Sequence, residues 1–546
     1  MAVSMAEVKK RWIRCLVWQQ VAGAVIWTAG DAVLTLAASP LGFVPPRGLL
    51  PSLSMRFFRF LVFQFCVAIL LVAHYIVTSP EEKSAASALE LAAGAMGAAL
   101  GGGWWTGPLR QRAQTTADWA LFVFTSMFGG FLAVFSMTAG FMRVEGTSSF
   151  DMALRGAALG FVYGVHYIYR KRWVVNFPII QRPLFFSLKM GIPSAGKMAL
   201  KLSLVALPCA LALMVVLHST LQYKGIRYGF LNLQILFFIG AYPIVFCWEL
   251  IHHLIQVVHT RRYVFAPPQG SAAAETNPTD QLVIALKDSD PKSLAQYLAY
   301  LDLCMVSENN VDSWRRAALF EETGETYKRI ILACLKPLEE MATRLSEGLD
   351  GSSVDKTSDV LSQQMRSPTD YPILENVKEA FNGFQLCSWC ARTVASLTAS
   401  SRDEDRFGVA QLTGCNGAVV STLLSCLLIV EVYLGKRSNI QSMHLLGPAS
   451  IKWTVPSRGV IGGKKQVLHI KKNTLPYKKA YAMADVLHTS IYQIVSVFQD
   501  EMLLGGSGIF GLPAAERDWL SKSKPLYGTH DMLLQKLRLF LEFRAS

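Results

Sequence analysis

The sequence predicts an all-α protein in two parts: a polytopic membrane helical bundle of six spans, then a soluble, mainly helical C-terminal domain. Three observations carry this. Hydrophobic residues make up 52% of the 546-residue chain and charged residues only 17%. A mean hydropathy of +0.31 is too high for the surface that an ordinary soluble protein of this length must present to water. Long apolar runs concentrate before Thr260, and polar linkers with amphipathic helical periods dominate after it.

A crossing needs about 20 mostly apolar residues, because a backbone group in hydrocarbon has no water to bond. Residues 15–37, 60–78, 119–141, 152–168, 202–221 and 230–250 meet that test. The fourth is the shortest and carries Arg155. Residues 84–105 are rich in Ala and Gly and carry Glu90, so they read as an interfacial or re-entrant helix. With six crossings, one side collects Lys9, Lys10, Arg11, Arg14, Lys83, Arg110 and Arg112. The same side takes Arg170, Lys171, Arg172, Arg182, Lys189, Lys197, Lys201, Arg261 and Arg262. The other side holds only Arg47, Arg56, Arg59, Arg143, Lys224 and Arg227. Basic loops stay cytoplasmic, which predicts both termini on the cytosolic side. The first apolar segment is too long for a cleavable signal and reads as an anchor.

The predicted division places the membrane domain at 1–262, a Pro/Ala/polar linker at 263–281 and a cytosolic helical domain at 282–546. Helical periods cover 290–305, 311–345, 375–397 and 481–504, with a flexible insert near 350–372. Residues 451–455 and 466–470 suggest a short hairpin. Residues 415–434 are nearly long enough to span, but Asn416, Ser421, Thr422, Ser425 and Glu431 interrupt them. A helix buried in the soluble domain is the preferred reading, with a further crossing as the alternative.

No catalytic constellation emerges from the motifs. Cys387 and Cys390 form a C-x-x-C without a second pair or a His at zinc spacing, so no metal is expected. Residues 506–511 match G-x-G-x-x-G but follow a helix rather than a strand, and residues 459–465 have the wrong spacing for a phosphate loop. Neither a cofactor nor an enzymatic activity is predicted. The ten cysteines are scattered and read as reduced thiols. Asp31, Arg155 and His166 are ionisable groups in or near the membrane and must face protein or water. They leave a transporter or channel open as the alternative. His252 and His253 mark the interface at the end of the sixth span.

Two surfaces stand out as candidate sites. Gly156, Gly160 and Gly164 share one face of the fourth span and allow close helix packing, within the chain or between chains. Residues 173–203, WVVNFPIIQRPLFFSLKMGIPSAGKMALKLS, are basic, aromatic and broken by three prolines. Phe177, Pro178, Arg182, Phe185, Phe186 and Lys189 are the candidates for membrane-surface contact, apolar groups down and charges to phosphate; packing on the chain's own bundle is the alternative. The six lysines of 464–479 form a second basic stretch, either solvated or on anionic headgroups. Its single aromatic, Tyr477, argues against direct nucleic-acid binding.

Six spans, a long helical tail and the loop FPIIQRPLFFSLK after the fourth span resemble the Ndc (nuclear division cycle) family of transmembrane nucleoporins. Residues 395–411 (ASLTASSRDEDRFGVAQ) and 485–502 (DVLHTSIYQIVSVFQDEM) add to the likeness. Residues 84–105 and 459–479 have no counterpart in it. The resemblance implies a structural, non-enzymatic protein of the nuclear envelope that anchors the pore scaffold and supports pore assembly. Its implied partners are the lipid bilayer, scaffold nucleoporins of the inner ring and other pore membrane proteins.

Overall fold

The computed structural model describes residues 2–38, 49–99, 107–139, 149–221, 230–267, 270–272, 278–288, 290–309, 312–350, 380–442, 475–504, 519–520 and 525–545. Contacts divide the chain into two compact units. The first is Met1–Arg262 with Asp290–Ala295, and the second is Tyr263–Ser289 with Gln296–Ser546. The described residues form helices and no strand beyond an isolated parallel bridge between Ser79 and Val174.

The first unit contains α1 (Ala2–Ala38), α2 (Leu49–Val77), α3 (Ala88–Ala99), α4 (Gly107–Thr138), α5 (Ser149–Tyr169), α6 (Leu184–Leu221) and α7 (Phe230–His259). Stretches of α1, α2, α4, α6 and α7 are long and apolar enough to cross a membrane. Helix α5 is not among them. It carries Asp151 and Arg155, both buried, and lies against α4, α6 and α7. A helix enclosed by protein has no need of a fully apolar surface. Helix α3 has 12 residues, too few for a crossing by its own length. Around this bundle large side chains such as Phe57, Phe65, Phe124 and Leu204 stay exposed.

Helix α6 differs from the expected pattern. A basic loop followed by a span at 202–221 was the expectation, yet one helix runs through from Leu184 across Pro193 and Pro208. A proline removes one donor and one hydrogen bond, and packing can carry the helix past it. At 1.5 Å per residue the 38-residue helix is roughly 57 Å long, nearly twice a hydrocarbon core of about 30 Å.

The second unit contains α8 (Asp280–Asp288), most of α9 (Leu294–Glu308), α10 (Ser313–Ala317), α11 (Glu325–Asp350), α12 (Phe384–Glu404), α13 (Val409–Leu412), α14 (Cys415–Ser442), α15 (Leu475–Leu504) and α16 (His530–Ala545). The single period expected at 311–345 is split by a turn in which Gly324 takes φ +69°, where glycine carries no steric cost. Helix α14 holds the sixth stretch long and apolar enough to cross, Cys415–Gly435, and 67% of its most apolar window is buried. It packs on α11 and α15. Inside this unit Arg315 and Asp302 are both buried and pair at 2.8 Å, and Phe265 N–H donates to the same carboxylate at 2.9 Å. The expected insert near 350–372, the hairpin at 451–470, the motifs at 459–465 and 506–511 and most of the basic stretch 464–479 lie outside the described residues.

Candidate membrane-surface site

The site is built from the end of α5 outward. Arg172 N–H donates to Tyr167 O and Lys171 N–H to Ile168 O, the paired bonds that close a helix through a left-handed residue. Lys171 is that residue, at φ 51°, and its ammonium reaches Glu82 at 2.5 Å. The turn aims Arg172 at Glu249 of α7, which it grips with two bonds of 2.6 Å. Glu249 is only 2% exposed, so a planar bidentate partner is the efficient way to satisfy it. Trp173 O then accepts from Ser79 N, and Val175 N donates to Ser79 O.

The segment that follows is tied to the end of α7 rather than left loose. Gln256 accepts from Asn176 N–H and donates to Val174 O, at 3.1 and 3.0 Å. Gln181 donates to Thr260 O and accepts from Arg262 N–H. His253 Nε2 donates to Ser187 O at 3.0 Å. Two glutamines and a histidine therefore spend their polar atoms on backbone. Between this strap and α7 lies a cavity of about 480 Å³ whose wall includes Pro178, Ile179, Arg182, Met190, His253 and Arg261.

Of the residues expected at a membrane surface, Pro178, Arg182, Phe185, Phe186 and Lys189 are exposed. Phe177 departs from that expectation: it is 5% exposed and turned into the protein. The strap leaves Ile179 and Ile180 outside in its place, at 93% and 70% exposure. Water gives no reason for two adjacent isoleucines to stand so far out. The Ile-Ile pair was visible in the sequence, but which side of the strap faced outward depends on the glutamine ties, whose partners lie some 80 positions away.

The three glycines of α5 meet α4. A Cβ on Gly156 would fall on the Gly130 carbonyl and one on Gly160 on the Ser126 carbonyl, while one on Gly164 would come within 3.1 Å of Val123 Cα. That face is filled inside the chain. Asp31 is also occupied: Arg59 reaches it at 2.9 Å and Arg56 at 3.7 Å. Arg59 donates in addition to Ser136 O and Met137 O, both at 2.6 Å, the last carbonyls of α4, where a cation is favoured. The carboxylate that sequence reading left open to a transport role thus holds Arg59, and the pair clasps three helices together. Arg155 is buried and His166 half-buried on α5, and His252 packs edge-on against Tyr167.

In the second unit Cys387 and Cys390 lie on α12 among buried thiols. Burial pushes the Cys304 thiol up to about 12, and Cys390 is raised by burial and by the nearby Cys334 and Cys387. No group of three or more His, Cys, Asp or Glu among the described residues is placed to hold a metal.

A model of the family described as Nucleoporin protein Ndc1-Nup matches residues 152–383. The match supports the likeness to the Ndc transmembrane nucleoporins that the sequence suggested. The Ndc1-Nup match runs from α5 through the strap, α6 and α7, across the division between the units and up to the start of α12, so it contains the strap and its ties to α7 but not Ser79 or Glu82. It covers less than half of the chain. Helices able to cross a membrane and the match to a nucleoporin family together fit a nuclear pore membrane protein. No curated protein matches the chain.

Proposed function

We propose that this nucleoporin is a non-enzymatic anchor that holds the scaffold of the nuclear pore complex in the pore membrane and supports its assembly. Six crossings would be α1, α2, α4, α5, α6 and α7, with both termini and the second unit on the cytoplasmic or pore side. One observation carries the reading. The Ndc1-Nup match joins a bundle whose outward surface is apolar to a helical unit whose most apolar helix is two-thirds enclosed. The first is matter for a bilayer, and the second is a folded dock for soluble partners, with scaffold nucleoporins of the inner ring and other pore membrane proteins as the classes expected. The Arg182 side of the bundle carries the excess of Lys and Arg, which suits the cytoplasmic face. Residues 178–189 would rest in its headgroup layer.

The full chain carrying a fluorescent tag is expected to give a punctate nuclear rim, and its purification in mild detergent to bring scaffold nucleoporins with it. Uniform plasma-membrane signal, or protease protection of the second unit in sealed envelopes, contradicts the reading.

A further inference from the structure

The cavity beside the strap has a neighbour that shares His253 with it. On the other side of that ring opens a narrower slot of about 150 Å³ between α1, α6 and α7, walled by Trp18, Leu188, Ile192 and residues of α7. His253 lines both spaces. The two succeed one another along α7. Thr260, Gln256 and His253 face the wide cavity, and Leu254, Ile251 and Cys247 face the slot. From His253 to Cys247 is six residues, roughly 9 Å along the axis. Helix α6 keeps the same order, with Leu184 in the wide cavity and Ile192 in the slot.

The chemistry divides in the same direction. The wide cavity has Arg182 and Arg261 on its wall and no acidic residue. Both arginines are exposed. Arg182 donates to the thioether of Met190 at 2.6 Å, a weak acceptor for a guanidinium, and neither arginine has a carboxylate partner among the described residues. The slot is walled almost wholly by carbon. Cationic end outward, apolar end inward along helices that enter a bilayer: this is the order of a phospholipid, and a cavity of about 480 Å³ lies within the range of small-molecule sites. At Gly191 an added Cβ would strike the His253 ring, so the glycine keeps the ring between the two spaces.

We propose that the two spaces form one site for a single anionic phospholipid, its phosphate held by Arg182 and Arg261 and an acyl chain lying in the slot past His253. The proposal rests on α1, α6 and α7 crossing a bilayer, and it needs neither the pore location nor a given sidedness.

The test uses the full chain, purified in detergent and stripped of lipid, then titrated with dioleoyl phosphatidic acid, dioleoyl phosphatidylcholine or inorganic phosphate and read by native mass spectrometry. One phosphatidic acid is expected to stay bound, phosphatidylcholine to be held more weakly, and inorganic phosphate neither to bind tightly nor to displace the lipid. The double substitution R182Q/R261Q is expected to weaken phosphatidic acid by about tenfold or more, since each charge-assisted contact is lost at a water-exposed position. I192W, which fills the slot, is expected to weaken lipid retention by a similar factor without touching either arginine. Equal retention of the two lipids, tight binding of inorganic phosphate alone, or unchanged retention in both variants would overturn the site. Punctate rim localisation that survives any of those results would leave the anchor reading standing and remove only the lipid.

Discussion

In the first unit the most apolar windows of the candidate spans are 28–56% buried, and in the second the corresponding window of α14 is 67% buried. The residues are of the same kind, and what differs is what covers them. Around the bundle Phe57, Phe65 and Phe124 face outward. Along α14, Val419, Leu423, Leu424, Leu427 and Val430 are all enclosed. Hydrocarbon tails are as apolar as leucine, so the bundle gains little by turning those side chains inward and holds together by close packing and polar clasps. A helix packed inside protein gains from every apolar atom that its neighbours cover. Apolar length is the same in the two cases, and coverage differs.

The largest expected effect breaks the bundle at its tightest contact. Gly160→Leu drives a side chain into the Ser126 backbone and should cost more than about 4 kcal/mol. Thermal unfolding of the detergent-solubilised chain is expected to lose the transition of the first unit while helical signal from the second persists. Simultaneous loss of both would show that the two regions do not differ as described. Next comes the buried pair of the second unit. Asp302→Ala strands the Arg315 guanidinium and the Phe265 amide and should cost about 3–5 kcal/mol, measurable by denaturant unfolding; a cost below about 1 kcal/mol would mean that water reaches the pair.

The smallest effect is a matter of pH. Burial raises the Glu321 carboxyl, but hydrogen bonds from Thr326 and Thr323 outweigh it and hold the group below its ordinary value. A depressed carboxyl contributes stability above its unfolded pKa, and that stability is lost as pH falls through the folded one. Glu321→Gln should therefore be the less stable protein near neutrality and converge with the wild type in acid, by acid-unfolding curves followed at the far-ultraviolet helical band. Parallel curves would show that the threonine contacts do not act on the ionised form.

Much of the fold was legible in periodicity. Apolar runs placed α1, α2, α4 and α7, and amphipathic periods placed α9, α12 and α15. Pattern failed where long-range contacts decide. Pro193 reads as a breaker, yet α6 passes it with its flank packed on α7. The period at 311–345 hides a turn that only the φ of Gly324 reveals. Phe177 reads as a surface aromatic because nothing local says that Gln256 and Gln181 fasten the strap with that ring inside. The Asp31–Arg59 clasp joins residues 28 apart whose meeting depends on α4 ending beside them. The cavity wall at the strap is drawn from positions 176–190 and 253–261, which no short motif connects.

The grip of Arg172 on Glu249 has a mechanical consequence. It rivets the bend after α5 to the middle of α7, and Gln256 and Gln181 repeat the fastening farther along the same helix. Strain arriving at the strap, whether from a curving lipid sheet or a protein tugging from above, has no slack hinge there in which to dissipate. It is delivered straight to the centre of the bundle, which lets this short stretch of chain serve as a rigid bracket.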